Sequence, residues 1–206
     1  MTFFDILFPP RCPYCGALTG RVYESCGECK ELLDAEPHMK KLKTGTKCLS
    51  VFEYGGAYRT AVLNYKYHGC RQYCKPFAIT MSRAISNNLS DMKFDVYTSV
   101  PARFDITGSR FDHVKPIARR AAQLCGSRYK SLLSQTHAKE FQHSLGAKER
   151  LENVRGLYKV TDTDFVKGKS ILLFDDIVTT GATLNACSEV LLKSGAKSVF
   201  CITLEW

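Results

Sequence analysis

The sequence predicts an α/β fold, a parallel sheet flanked by helices, with a small N-terminal four-cysteine zinc ribbon in front of it. Three observations carry this. Apolar stretches of strand and helix period alternate through the later part of the 206-residue chain. One strand, Ile171-Leu172-Leu173-Phe174, runs into two adjacent carboxylates and a hydroxyl-rich turn. Two CxxC pairs fall within the first 30 residues. Strand, helix, strand in that order implies right-handed crossovers between parallel strands, with helices on the sheet faces.

Each element has its own reason. Residues 1–50 read as the zinc ribbon and a linker. The linker is the polar stretch 34–50, where Lys40, Lys41, Lys43 and Lys47 surround Gly45. Residues 51–206 read as the main domain. Val51 to Tyr54 is a short strand expected to stop at Gly55-Gly56. Phe77, Met81, Ala84, Ile85 and Leu89 recur at helical spacing. Val96 to Val100 reads as a strand ending at Pro101. Val114, Ile117, Ala118, Ala121, Ala122 and Cys125 form one apolar helical stripe. Leu184, Cys187, Val190 and Leu191 mark a helix stopped by Gly195, a residue suited to the left-handed turn after a helix. Val199 to Leu204 is the last strand.

Composition fits a soluble globular protein, 45% hydrophobic and 24% charged. No stretch approaches the ~18 uninterrupted apolar residues of a membrane span, so no membrane insertion is expected. The apolar start, Met1 to Phe8, lacks a basic leader, is interrupted by Asp5 and ends at Pro9-Pro10. It makes a poor signal peptide, and a cytoplasmic location is expected. Ten cysteines there should be reduced thiols or metal ligands. The net charge of +9 is uneven: residues 103–155 carry eleven Lys/Arg against five Asp/Glu. A field of that sign attracts phosphates.

Cys12-Pro13-Tyr14-Cys15 and Cys26-Gly27-Glu28-Cys29 give CxxC, ten residues, CxxC. Two such pairs can aim four thiolates at one tetrahedral Zn²⁺. Gly16 and Gly27, each directly after a ligand cysteine, are expected to supply the tight turns. Four closed ligands leave no open coordination position, so the zinc is structural. Cys125, Cys187 and Cys201 lie on apolar faces or in a strand and read as small core residues. His68, Cys70 and Cys74 have ligand-type side chains but no fourth partner in view, and a packing role is expected.

The stretch Asp175-Asp176-Ile177-Val178-Thr179-Thr180-Gly181-Ala182-Thr183 follows the apolar strand. Thr179 to Thr183 can present backbone N–H groups and hydroxyls at a helix N-terminus, where a phosphate dianion is well held. Gly181 lets the backbone come close. Asp175 and Asp176 have the wrong sign for phosphate and suit sugar hydroxyls or a metal. The loop reads as a 5-phosphosugar site.

This loop resembles the 5-phosphoribosyl-1-pyrophosphate (PRPP) signature of type I phosphoribosyltransferases. The resemblance implies a five-stranded, largely parallel sheet, Mg²⁺–PRPP at the carboxyl ends of the strands, and displacement of pyrophosphate by a nitrogen nucleophile. The whole chain is similar to the ComF family of competence-associated phosphoribosyltransferase-like proteins. Four segments carry that: Leu7 to Gly16 with the second CxxC; Tyr54 to Arg59 with Leu63 to Gly69; Gln142 to Tyr158; and the phosphate loop. Membership implies handling of DNA taken up in natural transformation, with single-stranded DNA and proteins of the DNA-uptake machinery as partners. PRPP-binding residues are then Asp175, Asp176, Thr179, Thr180, Gly181, Ala182 and Thr183.

The chain departs from the family where Val100-Pro101-Ala102-Arg103 replaces V-P-[VL]-P and Ser109-Arg110-Phe111-Asp112-His113 replaces R-G-F-N-Q. Lys66, Arg103 and Arg110 are the catalytic candidates for contacting pyrophosphate. Two other readings stand beside this one: a non-catalytic nucleic-acid-binding module on the same fold, and a nucleobase-salvage phosphoribosyltransferase. Salvage needs a hood that reads the base. Only Glu205 and Trp206 follow the last strand, so a hood is expected to come from before residue 94. For single-stranded DNA the expected track is Arg119, Arg120, Arg128, Lys130, Lys148, Arg150 and Arg155, with Tyr129, Phe141 and Tyr158 as stacking platforms; the alternative is that Phe141 and Tyr158 are core residues and the charges a solvated face.

Overall fold

The computed structural model describes residues 8–21, 25–33, 37–53, 55–67, 71–102, 112–136 and 156–206. Its centre is a five-stranded sheet. In chain order the elements are α1 (Gly27–Leu33), β1 (His38–Lys41), β2 (Lys47–Phe52), α2 (Gly56–Tyr67) and α3 (Cys74–Asn88). Then come β3 (Val96–Ser99), α4 (Val114–Leu124), β4 (Leu133–Gln135) and β5 (Tyr158–Val160). A one-turn α5 (Thr163–Val166), β6 (Ser170–Phe174), α6 (Ala182–Lys193) and β7 (Ser198–Glu205) complete it. The strand order is β1-β2-β7-β6-β3. β2, β7, β6 and β3 run parallel, and β1 is an antiparallel edge.

Period-two alternation sorts the strand residues between two cores. Leu172 and Phe174 of β6, with Phe200 and Ile202 of β7, face one core, shared with α2, α3 and α4. Ile171, Leu173, Val199 and Cys201 face the other, shared with α6 and the β4–β5 hairpin. β6, α6 and β7 make one strand–helix–strand unit. The helix ends where expected: Gly195 takes φ +91° just after it.

Several elements differ from the sequence expectation. Much of the stretch read as linker forms the β1–β2 hairpin, and Leu42 and Cys48 are buried under it. Its lysines hid it: β1 is an exposed edge strand, where lysine is common because it discourages pairing with other chains. The strand read from Val51 begins at Lys47 instead. Gly55-Gly56 ends β2, but Gly56 also opens α2, whose Tyr58, Ala61, Val62 and Tyr65 are buried at helical spacing. The β4–β5 hairpin was not foreseen, and it puts Tyr158 in the core at 3% exposure. Tyr158 therefore cannot stack on a base.

No helix among the described residues is long and apolar enough to cross a membrane.

Candidate functional site

The four-cysteine zinc site is braced against the main domain. The Sγ atoms of Cys12, Cys15, Cys26 and Cys29 all lie within 4.8 Å of one another. A tetrahedral Zn²⁺ with ~2.3 Å Zn–S bonds needs sulfurs about 3.8 Å apart, so the cluster fits one ion. The first pair sits on a knuckle: Cys12 N–H donates to Ala17 O (2.7 Å) and Gly16 N–H to Cys12 O (3.0 Å), with Gly16 at φ +79°. Gly27 plays a different part from the expected turn. It opens α1, where Lys30 N–H donates to Cys26 O.

Tyr14, between two of the ligands, is buried in the main core. Its ring meets Tyr58 edge-on at 5.1 Å and Phe52 at 6.3 Å, and its hydroxyl is 2.9 Å from Thr80 Oγ1. Tyr58 Oη donates in turn to Cys29 O at 2.8 Å. The ribbon is thus stapled to β2, α2 and α3.

The second site lies at the carboxyl edge of the parallel strands, where ligands of open α/β sheets bind. β6 ends at Phe174, and Asp175 and Asp176 follow. Asp175 is buried, and its Oδ1 accepts from Asp176 N–H at 2.9 Å. Asp176 Oδ1 accepts from Ile177 N–H, and its Oδ2 is 2.7 Å from Lys66 Nζ, with both side chains about 15% exposed. Lys66, the candidate for contacting pyrophosphate, is thus brought to the same edge as the loop carboxylates. Thr179 and Thr180 are exposed, and Gly181, at φ +72°, turns the chain into α6.

The β1–β2 hairpin holds this turn in place. Thr44 N–H donates to Asn185 Oδ1 (2.9 Å), and Asn185 Nδ2 donates to Gly181 O (2.8 Å). A Cβ on Gly181 would lie 3.0 Å from Leu42 Cδ2. So the glycine serves the turn and the hairpin together. The N-terminal turn of α6 follows the exposed Thr179 and Thr180 and has no carboxylate in it, so it can hold an anion.

The sequence reading missed Asn185, Arg59, His113 and Glu205 around this edge. Asn185 had a signal, since a weak helix former stands within the first turns of a helix directly after the loop. His113 stands just before α4, half-buried, and burial pushes its pKa down while Asp176 pulls it back up. Glu205, at the end of β7, is fully buried. Arg103, Arg110, His68, Cys70, Phe141, Lys148, Arg150 and Arg155 lie outside the described residues. Cys74 is half-buried near Tyr65. Cys187 and Cys201 are fully buried and Cys125 partly so, in keeping with packing roles.

Residues 107–204 match the phosphoribosyl transferase domain, and residues 3–41 match the double zinc ribbon domain. The competence protein ComFC of Streptococcus pneumoniae is 27% identical over 202 residues, 98% of this chain and 83% of that protein. Over nearly its whole length the chain is similar to the ComF family of phosphoribosyltransferase-like proteins. An adenine phosphoribosyltransferase of Treponema denticola is 33% identical over 116 residues, 54% of this chain and about half, 53%, of that enzyme. The DNA utilization protein YhgH of Escherichia coli K12 is 33% identical over 67 residues, 32% of this chain and 29% of that protein. The ComFC match takes in the ribbon as well as the α/β domain. The adenine phosphoribosyltransferase match covers little more than half of the chain.

Proposed function

We propose that this chain is a ComF-type PRPP-binding phosphoribosyltransferase-like protein that acts on or with incoming single-stranded DNA at the cytoplasmic side of DNA uptake. The observation that carries the reading is the Asp175–Thr183 loop at the carboxyl edge of the sheet. The turn Thr179–Thr183 takes the 5-phosphate on the N–H groups of α6. Asp175 and Asp176 accept hydrogen bonds from the ribose hydroxyls. PRPP arrives with Mg²⁺, which balances the pyrophosphate charge. Pro101 and Ala102 follow β3 on the same edge, which is the pyrophosphate side of the site in this reading. The reaction assigned is transfer of the phosphoribosyl group to a nitrogen nucleophile of a nucleic acid or nucleotide.

The DNA surface in this reading includes α4. Lys115, Arg119 and Arg120 are exposed there, and the helix carries no carboxylate. Arg128 is exposed as well, whereas Lys130 is committed to Asp162 at 2.6 Å. Tyr129 is half-buried, its hydroxyl tied to Ser99 and Ser131.

The test is calorimetric titration with PRPP and Mg²⁺, with ribose 5-phosphate as the control. Asp175→Ala with Asp176→Ala should weaken PRPP binding, since each charge-assisted hydrogen bond contributes about 1.5–3 kcal/mol. Unchanged affinity in a folded double variant defeats the assignment.

A further inference from the structure

Glu205 is the buried ionisable group at this edge that the proposed chemistry leaves unused. It has 0% exposure, and among the described residues neither carboxylate oxygen has a hydrogen-bond partner. A buried carboxylate left this way is costly, so its retention calls for a reason.

The backbone shows where the side chain is aimed. Up the β6–β7 ladder, Ile202 O accepts from Asp175 N–H, and the next β7 carbonyl to accept is Glu205 O, from Val178 N–H. Three residues separate those carbonyls where a regular ladder has two. Leu204 and Glu205 both donate to Asp176 O, at 3.0 and 3.1 Å. A one-residue slip moves a side chain to the other face of a sheet. Phe52, which pairs with Glu205, is likewise turned into the α2–α3 core. Glu205 thus lies on the α2 side, beside the Lys66–Asp176 pair.

We propose that Glu205 is a positioning residue for Lys66, taking over its ammonium when ligand hydroxyls displace it from Asp176. This rests on the reading that Asp176 holds the ribose. Without ligand, both oxygens of Asp176 have protein partners, Ile177 N–H on one and Lys66 on the other. Ribose hydroxyls must compete with the ammonium of a lysine whose side chain is only 15% exposed. An ammonium pushed off a carboxylate in such a place needs another counter-ion. Glu205 is a neighbouring carboxylate, with acceptor positions in reserve among the described residues.

The consequence is a proton linkage. Glu205 accepts the ammonium well only when ionised. Burial pushes its pKa up to about 7; Lys66 and Arg59 on α2 hold it down, and Asp176 pushes it further up. Among the described residues, His113 before α4 also faces the ion pair, its pKa lowered by burial, and so does Tyr65 of α2, whose pKa burial raises; Asp112 lies near both. Below the midpoint Glu205 is neutral and Lys66 stays on Asp176. Above it, the ammonium can transfer and the ribose site opens. If only the ionised form binds well, the apparent affinity scales with its fraction, so it should rise up to about tenfold from pH 6 to pH 8.

The experiment measures the PRPP dissociation constant in Mg²⁺ from pH 6 to 8 for the wild type, Glu205→Gln and Lys66→Met. Titration of the ligand's own phosphates is common to all three and cancels in the ratio to wild type. Both variants should lose the added pH dependence, Glu205→Gln because the acceptor no longer ionises and Lys66→Met because no ammonium has to move. A wild-type profile that either folded variant reproduces overturns the role of Glu205 while leaving PRPP binding intact. No PRPP binding by the wild type at any pH overturns the underlying site assignment as well.

Discussion

Replacing Tyr14 by alanine should destabilise the whole protein, although Tyr14 lies in the N-terminal ribbon. Its side chain is 3% exposed and packs in the same core as Phe52, Tyr58 and Phe77. Three of its ring contacts have centroids 5.1 to 6.3 Å apart, in edge or tilted geometry. Truncating a buried aromatic to alanine costs about 3–5 kcal/mol through lost burial and the cavity left behind. That is a large part of the ~5–15 kcal/mol of net stability typical of a folded protein. In a protein of this size each kcal/mol moves the melting temperature by about 2–4 °C, so the main transition should fall by roughly 6–20 °C. Tyr14→Phe keeps the ring and loses the bond to Thr80, a change of about 1 kcal/mol. The assay is thermal and urea unfolding followed by far-ultraviolet circular dichroism, which reports mainly the sheet and long helices, alongside release of zinc to a chromogenic chelator. The reasoning requires one coupled transition, with zinc released as the helices melt. If Tyr14→Ala sheds zinc early while the main transition stays within about 2 °C of wild type, the ribbon is an independent module and the packing argument fails.

Other outcomes follow from the same geometry. Protein purified without added metal should carry one zinc per chain, and stripping it with a strong chelator should lower the main melting temperature; equal stability with and without metal counts against the structural role. Gly181→Ala forces an L-residue to φ +72° and puts a methyl 3.0 Å from Leu42. The backbone strain alone is about 1–2 kcal/mol, and PRPP affinity should drop with it; an unchanged titration would show that the turn can move freely. Glu205→Gln should change stability with a definite sign. Glu205 is raised from the ordinary 4.5 to about 7 by burial, so the folded state holds its proton longer than the unfolded chain. Wild-type stability is therefore lost as pH rises from about 4.5 to 7, and the gap in favour of the variant should widen to roughly 3 kcal/mol by pH 8; parallel curves would contradict the burial. Single-stranded DNA affinity should fall with salt at a log–log slope of about −0.7 per phosphate neutralised, and Arg119→Ala with Arg120→Ala should make that slope shallower; a slope unaffected by the pair would place the track elsewhere.

The sequence alone settled what depends on local pattern. The CxxC spacing named the four thiols, because zinc chemistry demands donor types at short separations that the chain itself supplies. The run from Ile171 to Thr183 displayed strand, carboxylates, turn and helix in one uninterrupted stretch, since every part of that loop is contiguous. The apolar stripes of α3, α4 and α6 were legible because each helix buries one face. Tertiary structure alone decided what depends on distant segments meeting. The lysines of the β1–β2 hairpin resembled a linker because the hairpin's exposed edge hides its role, and its turn reaches Gly181 and Asn185 some 140 residues away in the chain. The pairing of Lys66 with Asp176 came only from folding, where the shielding of both side chains favours a direct ion pair. Tyr14 carries no signal in the sequence beyond its place between two ligands, and burial makes it the bridge between ribbon and sheet. Glu205 had no signal in the sequence, because its place depends on a slip in strand pairing, and pairing is a property of two strands rather than of either one.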